Sequence, residues 1–240
     1  MDDYVTRRCA PRPAPLIQVS MGMADEFLCD GDFGLSVGEG HFPARVIQRV
    51  TGSPYVHVIG VHRVEGAWRL VESAPPCVRV RPLAELVSEE SGLYDCYRLQ
   101  PGLCDLGKAW DWAVKAEGKE YSYLELYLVW RRRYREAVQA GRRKKFDFPE
   151  FPILPVGPGS VHLREIEREH PWNERGVPDP KPNSDLPDGC RRDCSSLWRA
   201  ACRVNWIGPP EKLIAAEQEY DCDVAPGDFS IGTKYICTLI

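Results

Sequence analysis

Tyr55-Val56-His57-Val58-Ile59-Gly60-Val61-His62-Arg63-Val64 is followed by Glu65-Gly66 and then by Trp68-Arg69-Leu70-Val71-Glu72-Ser73. The first run is rich in β-branched residues and reads as a strand. Glu65-Gly66 is a turn signal, and the second run is the return strand of a hairpin. Working outward, Cys77-Val78-Arg79-Val80-Arg81 alternates and predicts a third strand. Pro82-Leu83-Ala84-Glu85-Leu86 opens a short helix, with proline at a permitted first-turn position. Tyr94 to Leu99 is a fourth strand. Asp105 to Glu117 is helical, with Leu106, Ala109, Trp110, Ala113 and Ala116 on one side and Gly118 as its cap. Lys234 to Ile240 is a last strand. The pattern predicts an α+β fold: a mostly antiparallel sheet with helices packed beside it.

The 240 residues suffice for one large domain with a sizeable core. Their 43% hydrophobic and 28% charged content is that of a globular protein. A net charge of -4 gives no argument for a nucleic-acid partner. There is no apolar run of membrane-spanning length. Met1-Asp2-Asp3-Tyr4 lacks a basic segment followed by an apolar one, so the expectation is a cytoplasmic protein. The organisation expected is a single domain over 1–240, with an N-terminal arm at 1–20 that ends in a short strand. Phe42 to Val50 has helix-like spacing, and Tyr121 to Tyr134 is aromatic and helical in pattern. An insertion spans approximately 131–190, basic at first and then rich in Pro, Gly and charge. Its basic part reads as a solvated charged helix, with an anionic partner as the alternative. Composition and motifs leave the oligomeric state open.

Ten cysteines are scattered along the chain, and none forms a CxxC pair. Without a secretory signal most are expected to be reduced and buried. No metal site and no cofactor is expected. Cys194 stands apart. It follows Arg191-Arg192-Asp193 and precedes Ser195-Ser196-Leu197-Trp198-Arg199-Ala200-Ala201-Cys202, where Leu197, Ala200 and Ala201 recur at helical spacing. The serines suit a first helical turn. Cys194 is therefore expected at a helix N-terminus, whose free N–H groups and dipole favour a thiolate. A buried structural cysteine is the other reading.

A reactive cysteine needs a base and a group that orients the base. His57 and His62 lie on one predicted strand and, five apart, face opposite sides. By strict alternation His57 shares its side with Tyr55, Ile59 and Val61, and His62 with Val56, Val58 and Gly60. Glu72 is unusual in its apolar strand, since a buried carboxylate needs partners. Pairing about Glu65-Gly66 sets position 57 against 74 and 59 against 72, so Glu72 is diagonal to His57. An edge-exposed glutamate without a partner is the alternative.

These residues resemble a known family. Ser53-Pro54-Tyr55-Val56-His57-Val58-Ile59-Gly60-Val61 is similar to a block of the circularly permuted NlpC/P60, papain-like cysteine hydrolases of the YiiX type. Val71-Glu72-Ser73 with Val78-Arg79-Val80-Arg81-Pro82-Leu83, Tyr97-Arg98, Gly118-Lys119-Glu120-Tyr121-Ser122-Tyr123, Cys194-Ser195-Ser196-Leu197-Trp198 and Ala225-Pro226-Gly227-Asp228-Phe229 resemble further blocks, in the same order, and Gly31-Asp32-Phe33 resembles the opening one. The chain departs from the pattern at Val56, where a small residue is usual, at Gly60, displaced by one in a way that allows a bulge, and at Asp193.

The resemblance implies a permuted papain-like fold with the nucleophile helix packed on the sheet. It implies Cys194 as nucleophile, His57 as base and Glu72 as orienter. The backbone N–H groups of Cys194 and Ser195 would receive the oxyanion, and Tyr55 and Tyr123 would touch substrate. The expected activity is cysteine-peptidase or amidase chemistry: hydrolysis of an amide bond in a peptide, cell-wall peptide or acyl-amide through an acyl-enzyme. Two alternatives stand beside it. One is a thiol-dependent acyltransferase or thioesterase acting on lipid-like acyl groups. The other is a non-catalytic interaction protein on the same fold. If His57 faced the wrong side, His62 would be the first substitute.

Overall fold

A computed structural model of the chain describes residues 12–14, 16–38, 44, 47–48, 51, 53–89, 93–121, 194–214 and 225–240. Seven strands form one sheet: β1 (Gln18–Val19), β2 (Phe33–Val37), β3 (Tyr55–Val64), β4 (Ala67–Ala74), β5 (Cys77–Pro82), β6 (Leu93–Arg98) and β7 (Lys234–Leu239). Their spatial order is β1-β7-β6-β2-β3-β4-β5. The β1–β7 pairing is parallel and the others are antiparallel. Among the described residues four α-helices accompany the sheet: α1 (Ala24–Phe27), α2 (Leu83–Glu89), α3 (Leu106–Val114) and α4 (Cys194–Val204). A 3-10 turn at Pro226–Ser230 precedes β7. This is the mostly antiparallel α+β arrangement the sequence predicts.

The hairpin sits where the sequence puts it. Glu65 and Gly66 both have positive φ, 50° and 82°. That is the backbone twist a two-residue hairpin turn requires. The β3–β4 ladder runs from Val64↔Ala67 as far as Gly60↔Val71, in the expected register. Beyond that pair β3 continues alongside β2 and β4 alongside β5, from Glu72↔Arg79 to Ala74↔Cys77. The two strands of the hairpin thus part company one residue before Glu72.

Both faces of the sheet are covered. One core joins Phe33, Leu35, Val58 and Val71 to Ala109, Trp110 and Ala113 of α3 and to Leu197, Trp198 and Ala201 of α4. The other joins Ile59, Val61, Leu70 and Tyr94 to Leu28, Leu83 and Leu86. This is why alternation in β3 reveals no solvent side: Val58 and Ile59 point to opposite faces and both are buried. One face assignment is corrected. Ser36 pairs with His57 and Val37 with Tyr55, leaving Val56 as an extra residue. This bulge reverses the alternation, so Tyr55 belongs to the core of Val58 rather than that of Ile59 and Val61.

Elements at the ends agree with expectation within about three residues. The N-terminal arm ends in β1, Pro82 closes β5 rather than opening α2, and α3 stops at Val114 before the turns that lead to Gly118. Gly118 has φ 80°. Most of Phe42–Val50, Asp193, the segment after Tyr121 and the 131–190 insertion lie outside the described residues. No helix among the described residues is long and apolar enough to cross a membrane. The seven described cysteines, Cys29, Cys77, Cys96, Cys104, Cys194, Cys202 and Cys237, are all free thiols.

Two buried aspartates tie distant segments to the sheet. Asp95 accepts from Arg12 Nε (2.6 Å) and Nη2 (3.0 Å), from the Tyr55 hydroxyl (3.0 Å) and from Thr238 Oγ1 (2.7 Å). Asp32 receives Arg98 Nε (2.7 Å) and Nη2 (2.8 Å). Buried charge is tolerated in each case because the carboxylate is paired and hydrogen-bonded.

Candidate functional site

The site forms where β3 and β4 separate. His57 projects from β3 three residues beyond the last β3–β4 pair, Gly60↔Val71, and Glu72 from β4 one residue beyond it. His57 Nε2 and Glu72 Oε2 are 2.8 Å apart. Glu72 is buried, and its second oxygen is also used. Oε1 accepts from Arg79 Nη2 at 2.9 Å and from Arg81 Nε at 3.0 Å. Arg79 lies directly opposite Glu72 in the β4–β5 ladder, and Arg81 is two residues along the same strand.

Cys194 is the first residue of α4 and is buried. The helix forms because Cys194, Leu197, Trp198 and Ala201 repeat at i, i+3, i+4 and i+7 and give one buried stripe. Its seat on the sheet depends on Gly60. A Cβ at that position would lie 2.5 Å from Trp198 Cζ3, so only glycine lets the indole rest on β3. Trp198 is one turn after Cys194, and the same contact brings the helix N-terminus to the parting of the strands. Cys194 lies there beside the His57 ring, near enough to raise the pKa of the imidazole. With Nε2 facing Glu72, Nδ1 is the nitrogen left for the thiol.

The electrostatics follow from this chain of contacts. Burial alone would lower the pKa of His57. The charge and hydrogen bond of Cys194, then those of Glu72, outweigh it and push the imidazole up to about 10. Burial likewise pushes Glu72 up, but the hydrogen bond and charge of His57 and the charges of Arg81 and Arg79 pull it down to about 2. Glu72 is therefore an anion at neutral pH, and its neighbourhood favours a protonated His57. The first N–H groups of α4, including those of Cys194 and Ser195, lack carbonyl partners within the helix.

The structure thus brings Cys194, His57 and Glu72 together. It places Tyr55 differently and leaves His62 apart. Tyr55, read as a substrate contact, is fully buried, and its hydroxyl is engaged by Asp95 Oδ2 at 3.0 Å and the Tyr97 hydroxyl at 2.7 Å. The bulge at Val56 is what turns it inward. Tyr123 lies outside the described residues. His62 stacks on Trp110 with ring centroids 5.2 Å apart, and its Nδ1 is 3.5 Å from Asp30 Oδ1. It takes no part in the cluster around Cys194.

Arg79 and Arg81 are the site residues the sequence reading passed over. Their signal was present in Val78-Arg79-Val80-Arg81. If the valines face a core, both arginines face the side of Glu72, and extending the hairpin register to β5 sets Arg79 across from it.

No protein-family model matches the chain, and no curated protein matches it significantly. Among solved structures it is similar to the crystal structure of the metalloprotein yiiX from Escherichia coli O157:H7. The match has a TM-score of 0.37 and 18% identity, and covers 62% of this chain and 86% of that one. It is a weak, low-identity match. Among the described residues no group of three or more His, Cys, Asp or Glu side chains could hold a metal ion.

Proposed function

We propose that the chain is a cysteine hydrolase that cleaves an amide bond, on a permuted papain-like fold of the NlpC/P60 type. The observation that carries this reading is the His57–Glu72 contact, anchored by two arginines, with Cys194 at the start of α4 near enough to raise the pKa of His57. A thiol, an imidazole and a buried anion in that order are the parts of a nucleophile, a base and an orienter.

In this reaction His57 takes the proton from Cys194 Sγ, and the sulfur attacks the carbonyl carbon of the amide. The resulting oxyanion is held by backbone N–H groups at the start of α4, those of Cys194 and Ser195. His57 gives its proton to the leaving nitrogen, the C–N bond breaks, and a thioester remains on Cys194. A water molecule, deprotonated by His57, attacks the thioester. The carboxylic acid leaves and the thiol is restored. Glu72 fixes the ring orientation and balances the imidazolium throughout.

The test is site-resolved alkylation. The rate at Cys194 is expected to exceed that of a model thiol and to fall on His57→Ala. Equal rates for Cys194 and the model thiol, with no effect of His57→Ala, would sink the proposal. Peptides, cell-wall peptide fragments and simple acyl-amides are the substrates to screen. The mass of a trapped acyl-enzyme distinguishes a peptidase from an acyltransferase, since a fatty acyl adduct would refute amide hydrolysis.

A further inference from the structure

We infer that Cys96 and Cys237 are a site of oxidation by hydroperoxides, at which the two thiols close to an intrachain disulfide that locks β6 to β7. This chemistry involves neither Cys194 nor its partners and is independent of the hydrolase reading.

The register of the ladder sets the geometry. Cys96 and Cys237 are direct partners in the antiparallel β6–β7 pair, just before the register shifts between Cys96 and Tyr97. Directly opposed residues of an antiparallel ladder have Cα atoms about 4.5–5.5 Å apart and side chains on one face. A disulfide needs a Cα separation of about 4.4–6.8 Å, so the backbone is already placed for the bond. Both residues are fully buried, in the core that includes Val19, Leu28, Tyr94 and Leu239. No other two of the seven described cysteines face each other in a ladder. Cys104 is close to Cys202, but its sulfur is aimed at the Cys202 carbonyl oxygen, 3.6 Å away.

Charge divides the roles. Its neighbour Cys237, and then burial, hold Cys96 well above the ordinary thiol range. Cys96 in turn, as the donor of the pair, steadies an anionic Cys237. Together with the charge of Arg98 this outweighs burial and the charge of Asp32 and pulls Cys237 down. Cys237 is therefore the thiolate of the pair, and Cys96 the thiol that resolves it. The Cys237 thiolate attacks the terminal oxygen of the hydroperoxide and the O–O bond breaks. The leaving oxygen takes up the proton lost by Cys237 and departs as water or an alcohol, and Cys237 becomes a sulfenic acid. Cys96 Sγ then attacks Cys237 Sγ, its proton goes to the departing hydroxide, and water leaves. Two thiols are oxidised to one disulfide and one peroxide is reduced. Among the described residues β7 is flanked on its far side by the two-residue β1 alone, so local opening of that edge admits a small oxidant. The next pair along the ladder, Asp95↔Thr238, holds Arg12 and the Tyr55 hydroxyl. The disulfide thus fastens β7 where the N-terminal arm is anchored.

Hydrogen peroxide is the probe. The reduced full-length chain is exposed to it under native conditions, the excess is destroyed with catalase, and remaining thiols are alkylated on unfolding. Trypsin then gives peptides 80–98 and 235–240, each carrying one of these cysteines and no other. The expected product is the two peptides joined, with the loss of two hydrogens, and parted again by a reductant. The urea midpoint of the oxidised chain should rise by about 1 M, since a long loop is closed, and should return on reduction. In Cys96→Ala the joined species is lost, Cys237 stays a sulfenic acid that dimedone labels, and the midpoint does not rise with peroxide. Peptide mapping of the wild type decides the matter even if that variant fails to fold. Three results overturn the inference: both thiols intact at a dose that oxidises Cys194, either cysteine joined to a different one, or a wild-type midpoint that does not rise on oxidation.

Discussion

Replacing Gly60 by alanine should damage both the fold and the reactivity of Cys194, through one contact. The new Cβ would lie 2.5 Å from Trp198 Cζ3 and 2.7 Å from both Cε3 and Cη2. Carbon atoms pack best at about 3.5–4.0 Å, so the indole or the strand must retreat by about 1 Å. Neither moves easily. Trp198 is 1% exposed within the core, and Gly60 is paired on both sides, with Phe33 and with Val71. Overpacking of this kind costs about 1–3 kcal/mol. Because Trp198 lies one turn after Cys194 on the same stripe of α4, the retreat also carries Sγ away from His57. A displacement of about 1 Å in a reacting group lowers rates by up to about a hundredfold. Two measurements follow: the urea unfolding midpoint, and the rate of Cys194 alkylation resolved by peptide mass spectrometry. Gly66→Ala is the control. It has φ +82° but open space around it, so its cost is backbone strain of about 1 kcal/mol, with Cys194 reacting at the wild-type rate. A Gly60→Ala protein with wild-type midpoint and wild-type alkylation rate would refute the claim that this glycine seats the nucleophile helix.

Glu72→Gln removes the anion that three basic groups share. The imidazole pKa of His57 should fall, read by proton NMR titration, and stability should drop by about 3–5 kcal/mol because a buried ion-pair cluster loses its anion; an unmoved His57 titration would contradict the assigned contact. The pH dependence of stability has a definite sign. His57 is raised from 6.5 to about 10, so its contribution is complete below pH 6.5 and is lost as pH rises through about 10. Glu72 is lowered from 4.5 to about 2, so its contribution is complete above pH 4.5 and is lost as pH falls through about 2. Chemical denaturation from pH 2 to 10 should show the two groups contributing most together between pH 4.5 and 6.5; a contribution of His57, isolated by His57→Ala, that grows toward pH 10 would have the wrong sign. Asp95→Asn should cost about 1.5–3 kcal/mol, since Arg12 then loses its charged hydrogen-bond partner, and should speed tryptic cleavage of the N-terminal arm. Unchanged proteolysis would mean that Arg12 does not hold the arm.

The hairpin was legible because two independent signals agreed. β-branched runs flanked a two-residue turn, and the turn alone fixed the register, which put Glu72 diagonal to His57. The nucleophile helix was legible from the i, i+3, i+4 spacing after Cys194. Three things were not. Alternation failed at Val56, because a bulge adds a residue without leaving a compositional trace. The two covered faces could not be ranked, since Val58 and Ile59 are equally apolar and equally buried. The arginines were not linked to Glu72, because that link needs the register of a third strand, and Cys77–Arg81 was read only as an alternating run. Tyr55 shows the consequence of the first gap. Its hydroxyl suggests a surface role by chemistry, whereas the bulge places it beside Asp95 and Tyr97, where burial and the neighbouring carboxylate raise its pKa.

A carboxylate paired with two arginines can be purely structural, and Glu72 invites that reading. What argues against it is where the third partner comes from. Arg79 and Arg81 belong to β5, which stays paired with β4 through and beyond Glu72. His57 belongs to β3, which has already separated from β4. A carboxylate needed only to neutralise Arg79 and Arg81 would gain nothing by reaching across the gap to an imidazole. The gap itself opens beyond Gly60, the residue whose missing side chain seats Trp198 and with it the first turn of α4. The end of the ladder, the approach of the helix and the His57–Glu72 contact therefore share one cause. Disturbing the helix contact, as Gly60→Ala does, separates a site built around Cys194 from an ion-pair cluster that the helix merely covers. In the first case the His57 titration moves with the helix, and in the second it stays with Glu72.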